Sequence, residues 1–349
     1  MPNEIPRRSM HIAVVADLET VNAQYRAVLP MEELRRRGHV IEFATPRQVL
    51  QSFRHRRKPD VVLIHRYVGP DARVLTAQAR AASVGVVWDN DDDIGAIPRG
   101  SAHHARFGSV ALRDVERGVD TMAKDAHVVT TPSGYLAEKY RAMGARNVHV
   151  LENYLPRHFC QVARSSHSGI VVVWVAGLEH QIDHQRLRLQ RTLERLLDVH
   201  ADVQLLSIGL GLGIDSVRYR RMRGVDHENL ARGLGTCDIG IAPLVDIPWN
   251  RARSNVKVKE YAAAGLAWLA SPVTPYESLG EREGGRLVAD GEWFSELSRL
   301  VVDARGRRKL ARRASKWAAR QTIEQHAVLW LSAFSEAMAA ARPAPLMPS

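Results

Sequence analysis

Several features that would assign a protein to a special class are scarce in this sequence. It has only two cysteines, Cys160 and Cys237, too few for a disulfide framework or a cysteine-rich zinc site. No run approaches the ~18 apolar residues that a membrane-spanning helix needs. The first ten residues include no apolar stretch typical of a secretory signal. We therefore expect a cytoplasmic protein without transmembrane segments.

Acidic residues are also too few to balance the basic ones. The chain has 49 lysines and arginines against 38 aspartates and glutamates, a formal net charge of +11. Such an excess suits nucleic acid, an anionic lipid surface or a phosphate-bearing substrate. The basic clusters are not interleaved with aromatic residues, as they are in proteins that stack single-stranded bases. We therefore do not expect a nucleic-acid partner.

Short apolar runs alternate with helical patterns along the whole chain. Its 349 residues exceed the size of one typical core and suggest two domains. The predicted strands cover residues 11–16, 40–45, 60–65, 84–89, 127–132 and 147–153, then 170–177, 203–209, 238–244 and 267–272. This alternation predicts parallel βαβ units in two doubly wound α/β domains, joined near residue 160. Ligands of such sheets bind outside the carboxyl ends of the strands.

The segment "NRARSNVKVKEYAAAGLAWLASP" (250–272) is the most informative about function. It predicts a helix with Ser254 as N-cap, preceded by Arg253 and with Lys257 in the first turn. Cations are unfavourable at a helix N-terminus unless an anion binds there, and a diphosphate would suit this site. Glu260, one turn further, would then accept hydrogen bonds from a ribose. The alternative is an ordinary helix in which Lys257 pairs with Glu260.

The same segment resembles the nucleotide-binding segment of GT-B glycosyltransferases of the large group called group 1 or family 4. "WVAGLEHQID" (174–183) is similar to the strand and loop that begin the family's C-terminal domain, and "CDIGIAPL" (237–244) to the strand before its phosphate helix. The N-terminal segments run in the order found in related bacterial members. The resemblance covers nearly the whole chain. It implies an α/β fold of two Rossmann-like domains facing a cleft.

The resemblance also implies a domain division and an activity. It divides the chain into an acceptor-side domain (1–155), a linker (156–168), a nucleotide-sugar-binding domain (169–320), a helix returning to the first domain (321–342) and a flexible tail (343–349). The implied activity is transfer of a sugar from a nucleotide-diphosphate sugar to a hydroxyl acceptor. Because helix and side chains bind the diphosphate, we expect neither a metal nor a cofactor.

Site residues follow from matching positions. The resemblance implies donor binding by His180, Asp183, Arg253, Ser254, Asn255, Lys257 and Glu260. Position after the first and third strands places Tyr25, Arg26 and Arg66 on the acceptor side. Many family members have two glutamates seven residues apart, and the first falls here on Ala252. We expect retention of anomeric configuration although that first glutamate is missing. The alternative is a catalytically silent nucleotide-binding or scaffolding subunit.

Four carboxylates follow the fourth predicted strand in "VVWDNDDDIGAIP" (86–98). They resemble the DxD of metal-dependent glycosyltransferases, but that fold has one domain and does not explain the second βαβ series. Consecutive acids on one turn also point in different directions, so at most two could share an ion. We predict that Asp91 and Asp92 orient or deprotonate an acceptor hydroxyl. The alternative is that these acids cap helices or are solvated in a loop.

The basic stretch at 305–320 has two interpretations. Leu310, Ala314 and Trp317 fall at helical spacing among arginines, a pattern found in helices that lie on anionic membranes. The same residues would also form the buried face of an amphipathic helix packed on the C-terminal domain. The first interpretation would place the protein at the inner face of a membrane.

Overall fold

The chain folds into two compact units. The computed structural model describes residues 9–54, 58–99, 101, 104–105, 109–224 and 227–342. One unit is drawn from Met1–Gly95, Ser109–Asn153 and Ile323–Ser349, the other from Ala96–Gly108 and Tyr154–Thr322. Residues 343–349, predicted as a tail, lie outside the described ranges.

The first unit is built on a six-stranded parallel sheet. Its strands are β1 (His11–Val15), β2 (Val40–Phe43), β3 (Val61–His65), β4 (Gly85–Asp89), β5 (Val128–Thr131) and β6 (Val148–Val150). They lie in the order β2-β1-β3-β4-β5-β6, and every neighbouring pair is parallel. All residues of β3 and β4 are buried, as expected when helices cover both faces of a sheet.

Helices connect these strands, as the alternation predicts. They are α1 (Val21–Ala23), which continues through a π-helical segment (Gln24–Val28) into α2 (Leu29–Arg36), then α3 (Pro46–Ser52), α4 (Pro70–Ala81), α5 (Ser109–Asp125) and α6 (Gly134–Ala142). Helix α3 shows why the sequence begins a helix there. Thr45 and Gln48 form a reciprocal capping box, and Pro46 occupies the first turn, where no N–H is needed.

A second six-stranded parallel sheet forms the other unit. Its strands are β7 (Ile170–Ala176), β8 (Val203–Gly209), β9 (Tyr219–Met222), β10 (Ile239–Ala242), β11 (Ala267–Ala270) and β12 (Gly285–Leu287). Their order is β12-β11-β10-β7-β8-β9. The two edge strands, β9 and β12, are absent from the sequence prediction. Both are short, and neither is fully buried, so they give no strong apolar signal.

The helices of the second unit lie between these strands. They are α7 (Gln181–Arg186), α8 (Leu189–Val199), α9 (His227–Leu234), α10 (Pro248–Arg251), α11 (Val256–Ala263), α12 (Trp293–Val302) and α13 (Ala304–Ala318). In α8 the buried residues are Leu189, Leu193, Leu196 and Leu197, which recur at helical spacing. This stripe packs in the apolar core with β7 residues such as Val172 and Trp174.

Two C-terminal helices belong to the first unit. They are α14 (Ile323–His326) and α15 (Leu329–Ala341). Gly85 lies so close to α15 that an added Cβ would come within 3.0 Å of the Ala337 backbone, so a glycine permits the packing of α15 on β4. In the described part of the chain, none of the helices has the length and apolarity to cross a membrane.

Tyr261 of α11 fixes this helix on the second sheet. Its hydroxyl donates to the Ile241 carbonyl (2.8 Å) and accepts from the Val175 N–H (3.0 Å), so it bonds to both β10 and β7. Its ring lies over Gly240, where an added Cβ would meet the ring carbons at 2.3 Å. The absence of a side chain at Gly240 therefore determines how closely α11 approaches the sheet.

Substitution Gly240→Ala should destabilise the protein. Because the added methyl would collide with a ring that is itself fixed by two hydrogen bonds, we expect a loss of about 1–3 kcal/mol in the free energy of unfolding. Chemical denaturation followed by circular dichroism would measure it. Gly280→Ala is the control, since nothing lies within 4 Å of a Cβ there. Equal stability of the two variants would contradict this packing.

Candidate functional site

The strand order of the second unit marks a place for a ligand. The chain proceeds outward from β7 through β8 to β9, then returns to the other side of β7 with β10. In open parallel sheets, ligands bind outside the carboxyl ends of the strands at such a reversal. The loop after β7 (residues 177–183) and the segment after β10 (residues 243–255) lie at this position.

A buried carboxylate, Asp183, joins these two segments. One oxygen accepts hydrogen bonds from the Val245 N–H (2.9 Å) and the Asn250 side-chain amide (2.7 Å). The other lies 2.9 Å from Nδ1 of His180. An ionised carboxylate only accepts, so Nδ1 carries the imidazole proton. Burial, together with the nearby charge of Arg253, lowers the pKa of His180 despite Asp183, so the ring is neutral at pH 7 with Nε2 as an acceptor.

Asn250 links the Asp183 carboxylate to Arg253. It is fully buried, donates to Asp183 and to the Val245 carbonyl (2.9 Å), and accepts from Nε of Arg253 (3.1 Å). The sequence prediction missed Asn250, because an isolated amide gives no signal of the carboxylate it will reach. We therefore regard Asn250 as a positioning residue for Arg253.

Arg253 has a buried donor without a partner. Its guanidinium carbon lies 5.3 Å from the centroid of the Trp249 ring, and its Nη2 is buried and has no hydrogen-bond partner. Buried polar atoms are nearly always hydrogen-bonded, so a charged donor of this kind calls for an explanation. An anion bound beside it would supply the missing acceptor.

Helix α11 begins next to Arg253. Its N-cap is Asn255, one residue after the predicted Ser254, and the Asn255 side chain makes no capping hydrogen bond. No acid lies in the first turn, which includes Lys257. Lys257 Nζ lies 3.8 Å from Oε2 of Glu260, so the ion pair of the alternative interpretation is present, but at a distance too long for a hydrogen bond. The helix N-terminus and Lys257 add positive potential beside Arg253.

Glu179 is a further residue of this site that the sequence prediction missed. It lies in a 3₁₀ turn, Leu178–His180, directly after β7 and Gly177. Its Oε1 is 3.8 Å from Nε2 of His180. Burial alone would raise the pKa of Glu179, but the positive charges of Arg253 and Lys257 lower it. The sequence shows an acid here but not that the charges of another segment act on it.

In the first unit, the four acids after β4 divide into separate roles. Asp89 is fully buried and pairs with Arg26 (2.6 Å), His65 (2.8 Å) and the Thr130 hydroxyl (2.6 Å). Burial would raise the pKa of Asp89, but the charge of Arg26 and the bond from His65 hold it below its usual range. Asp89 is therefore an ionised, structural residue.

Asp91 and Asp92 share the cation of Arg66. Arg66 Nη2 lies 2.5 Å from Asp92 and Nε lies 3.4 Å from Asp91, while Asn22 donates to Asp91 at 2.6 Å. Arg66 has a φ of 62°, a strained backbone conformation of the kind found at functional sites. Oδ1 of Asp91 is buried without a hydrogen-bond partner. Asp93 pairs instead with Lys139 at 2.5 Å.

These pairings bear on whether the acids after β4 could bind a metal ion together. Asp89 pairs with Arg26 and His65, Asp91 and Asp92 share Arg66, and Asp93 pairs with Lys139, so the four carboxylates do not face one common point. Across the described ranges, no group of three or more His, Cys, Asp or Glu side chains is arranged to ligate a metal ion. The alternative that these acids are solvated in a loop also differs from the structure, since Asp89, Asp91 and Asp93 are buried.

Comparison with solved structures identifies the fold. No protein-family profile and no curated protein sequence matches the chain. HepE from Anabaena, solved with uridine diphosphate (UDP) and glucose, aligns with a TM-score of 0.66 over 93% of this chain and 99% of its own, at 13% identity. A glycosyltransferase from Rickettsia africae gives a TM-score of 0.67 at 11% identity, over 95% of this chain and 99% of its own. The fold is GT-B.

The GT-B fold is shared by proteins of different activities. A proposed UDP-N-acetylglucosamine 2-epimerase from Listeria monocytogenes aligns with a TM-score of 0.56 at 11% identity, over 92% of this chain and 94% of its own. At these identities the likeness concerns the fold. The activity of this GT-B chain has to be argued from its own residues.

Two residues predicted for the acceptor side have internal positions in this GT-B chain. Arg26 is fully buried and, besides Asp89, bonds to the Leu151 carbonyl and to Oδ1 of Asn153 (3.0 Å). Tyr25 is also buried. Both belong to the π-helical segment Gln24–Val28, and their position along the sequence did not reveal that they are buried. Arg66 is only partly buried and remains at the surface of its unit.

The basic helix α13 packs through the residues that would have entered a membrane. Leu310, Ala314 and Trp317 are buried in the second unit. The helix therefore has no free apolar face, as expected for the amphipathic alternative. Its exposed residues are Ser315 and five cations, Arg305, Arg308, Lys309, Arg312 and Lys316. A contact with an anionic membrane stays a prediction and would rest on charge alone.

Removing Arg26 should destabilise the first unit strongly. Arg26→Ala leaves the Asp89 carboxylate charged and buried, which typically costs about 3–5 kcal/mol. Chemical denaturation would measure this loss. Arg36→Ala is the control, because Arg36 is exposed and Glu33 keeps its ion pair with Arg37, with an expected effect below about 1 kcal/mol. A similar small effect for both variants would show that the buried pair is not needed.

Proposed function

We propose that this chain is a glycosyltransferase that transfers a sugar from a nucleotide-diphosphate sugar to a hydroxyl acceptor. The observation on which this rests is the unpartnered, buried Nη2 of Arg253 beside the acid-free N-terminus of α11. The GT-B fold supports it, and so do the crystal structures of HepE in complex with UDP and glucose and with UDP-glucose. A diphosphate would bring acceptor oxygens and negative charge to a site that has donors and positive charge.

In this proposal the second unit stabilises the leaving diphosphate. Arg253 would donate to a phosphate oxygen, with its direction set by Asn250, and Lys257 would neutralise the charge that develops as the glycosidic bond breaks. Ser254 and Asn255 precede the helix and would bring backbone N–H groups to the same phosphates. Glu260, buried one turn deeper, would accept hydrogen bonds from the ribose. These groups would take the part that a metal ion has in other transferases.

The His180–Asp183 pair would lie next to the transferred sugar. Because Asp183 keeps the proton on Nδ1, Nε2 of His180 is available to accept a hydrogen bond from a sugar hydroxyl. The Asp183 carboxylate is itself saturated by bonds within the protein, so it would act through His180 and Asn250 and not touch the donor.

The first unit would supply the acceptor side of the reaction. Asp91 has one oxygen held by Asn22 and another without a hydrogen-bond partner, so it can accept a bond or a proton from an acceptor hydroxyl. Arg66, which lies 3.4 Å from Asp91 and 2.5 Å from Asp92, would hold both carboxylates in place. Retention of anomeric configuration stays a prediction, testable by the anomeric signals of the product in a nuclear magnetic resonance spectrum.

The second candidate is a catalytically silent subunit that binds a nucleotide. Ala252 favours it, because this position is fully buried and presents no carboxylate. Such a protein would bind a nucleoside diphosphate through Arg253 and Lys257 but turn over no donor. Turnover of any nucleotide sugar excludes it.

Loss of Arg253 or Lys257 should weaken binding of the donor nucleotide. We expect Arg253→Ala and Lys257→Ala each to lose about 2–3 kcal/mol of binding free energy, the scale of one charge-assisted contact. Isothermal calorimetry with UDP, GDP, ADP, CDP and dTDP, each with and without EDTA, would measure this and identify the base. Arg251→Ala is the control, since this half-buried arginine pairs with Asp246 at 2.6 Å.

The results separate the alternatives. The proposal is supported if EDTA leaves binding unchanged, both site variants bind more weakly and the control variant still binds. Binding lost with EDTA would instead indicate a metal. Unchanged affinity in both site variants would overturn the assignment of the phosphate site.

Substitution Asp91→Asn should reduce turnover without reducing nucleotide affinity. The amide keeps the shape of the side chain but cannot take a proton, and loss of a general base typically costs about 10²–10⁴ in rate. Initial rates with the donor identified above, beside calorimetry with its nucleoside diphosphate, would separate the two effects. Asp114→Asn, an exposed acid of α5, is the control. Full activity of Asp91→Asn would remove Asp91 from the reaction.

A further inference from the structure

A second concave surface lies at the other edge of the sheet in the second unit. A cavity of about 350 Å³ borders Ile170, the first residue of β7, and Asp238, which directly precedes β10. It is also lined by residues of the segment before β7 (164–169) and of α13. Because β7 and β10 are parallel, their amino ends lie at the edge opposite the loops of the candidate donor site. The proposed function therefore makes no use of this cavity.

Three arginines line this cavity, which we call the basic cavity: Arg164, Arg307 and Arg308. Arg164 donates to two main-chain carbonyls at 2.5 and 2.6 Å, and Arg307 donates to two others at 2.8 and 2.7 Å. A carbonyl holds a guanidinium in place but does not neutralise it, because a carbonyl has no net charge. Arg308 is exposed, and no described residue forms a hydrogen bond or an ion pair with it. The basic cavity thus contains two oriented cations and a third that can turn towards a ligand.

One acid, Asp238, is present among the described residues that line the basic cavity. One of its oxygens accepts from the Val171 N–H (2.9 Å) and lies 3.4 Å from Nε2 of His167, and the other accepts from Arg164 (3.2 Å). The Asp238 carboxylate therefore offsets the charge of Arg164. The charges of the other two arginines have no counter-charge among the described lining residues.

Helix α13 extends this positive charge beyond the basic cavity. Its sequence, ARGRRKLARRASKWA, has seven arginines and lysines and no acid. Arg313 pairs with Glu281 at 3.1 Å, whereas Arg305, Lys309, Arg312 and Lys316 are exposed. A surface with charge of one sign attracts the opposite sign from solution. The basic cavity adds to this field a concave place with guanidinium donors.

We propose that the basic cavity is a binding site for a phosphate group, separate from the candidate donor site. A phosphate monoester has about two negative charges at pH 7, enough to match Arg307 and Arg308. Its oxygens also suit the planar fork of an arginine side chain, which can donate two parallel hydrogen bonds. Two sources supply such a group, a soluble phosphate ester and the headgroup of an anionic phospholipid. This inference does not depend on the proposed function.

Substitution Arg308→Ala tests the site with little disturbance, because Arg308 is exposed and makes no bond to the described protein. Calorimetry with inorganic phosphate and glycerol 3-phosphate measures the soluble source. Sedimentation with phosphatidylcholine vesicles, with and without phosphatidic acid, measures the lipid source. All proteins in this comparison have Arg253→Ala as well, so that phosphate at the candidate donor site does not contribute. We expect Arg308→Ala to weaken binding about tenfold, the scale of one charge-assisted contact.

Arg312→Ala is the matched control. It removes the same side chain from the next turn of α13, where Arg312 is exposed and is not among the residues that line the basic cavity. The inference is supported if Arg308→Ala weakens binding and Arg312→Ala does not, and the probe that binds then identifies the source. Equal losses in both variants would indicate a diffuse positive surface without a site, and the inference would be wrong. Failure of every probe to bind the parent protein, shown to be folded by thermal unfolding, would also overturn it.

Discussion

The buried carboxylate of Asp183 is the interaction on which the candidate donor site depends. It connects the loop after β7 with the segment after β10, the two segments that flank the reversal of strand order. Its bonds fix the tautomer of His180 and the direction of Asn250, and Asn250 in turn orients Arg253. A buried charge is stable only when it is fully hydrogen-bonded, so these partners have little freedom to move. The order of the site follows from satisfying one carboxylate.

The first unit uses the same principle for a different result. Asp89 is satisfied by Arg26, His65 and Thr130, and this makes the end of β4 rigid. Two residues later, past the end of the strand, Asp91 has an oxygen that makes no hydrogen bond and lies 3.4 Å from Nε of Arg66. Neighbouring acids in one run thus differ in role because they lie at different depths in the unit. An acid within the strand is enclosed by the core, whereas one past its end faces the place where a ligand binds in this class of sheet.

Charge in the donor site is arranged before any ligand arrives. Arg253, Lys257 and the N-terminus of α11 create a positive potential that is costly unless an anion is present. Preorganised charges of this kind favour the species whose charge matches them best. This suits the departure of a diphosphate better than the binding of a neutral ligand.

The sequence alone determined the architecture, because the alternation of buried runs with helical patterns leaves few topologies for a chain of this length. It also located α11 and the cations before it, since caps and charges are local signals. Which carboxylate meets which cation was decided only by the tertiary structure. Asp89 and Arg26 are 63 residues apart, as Asn250 and Asp183 are 67 apart. Such pairs depend on strand order and depth, so Arg26 became internal, while Asn250 and Glu179 became site residues without any local pattern to mark them.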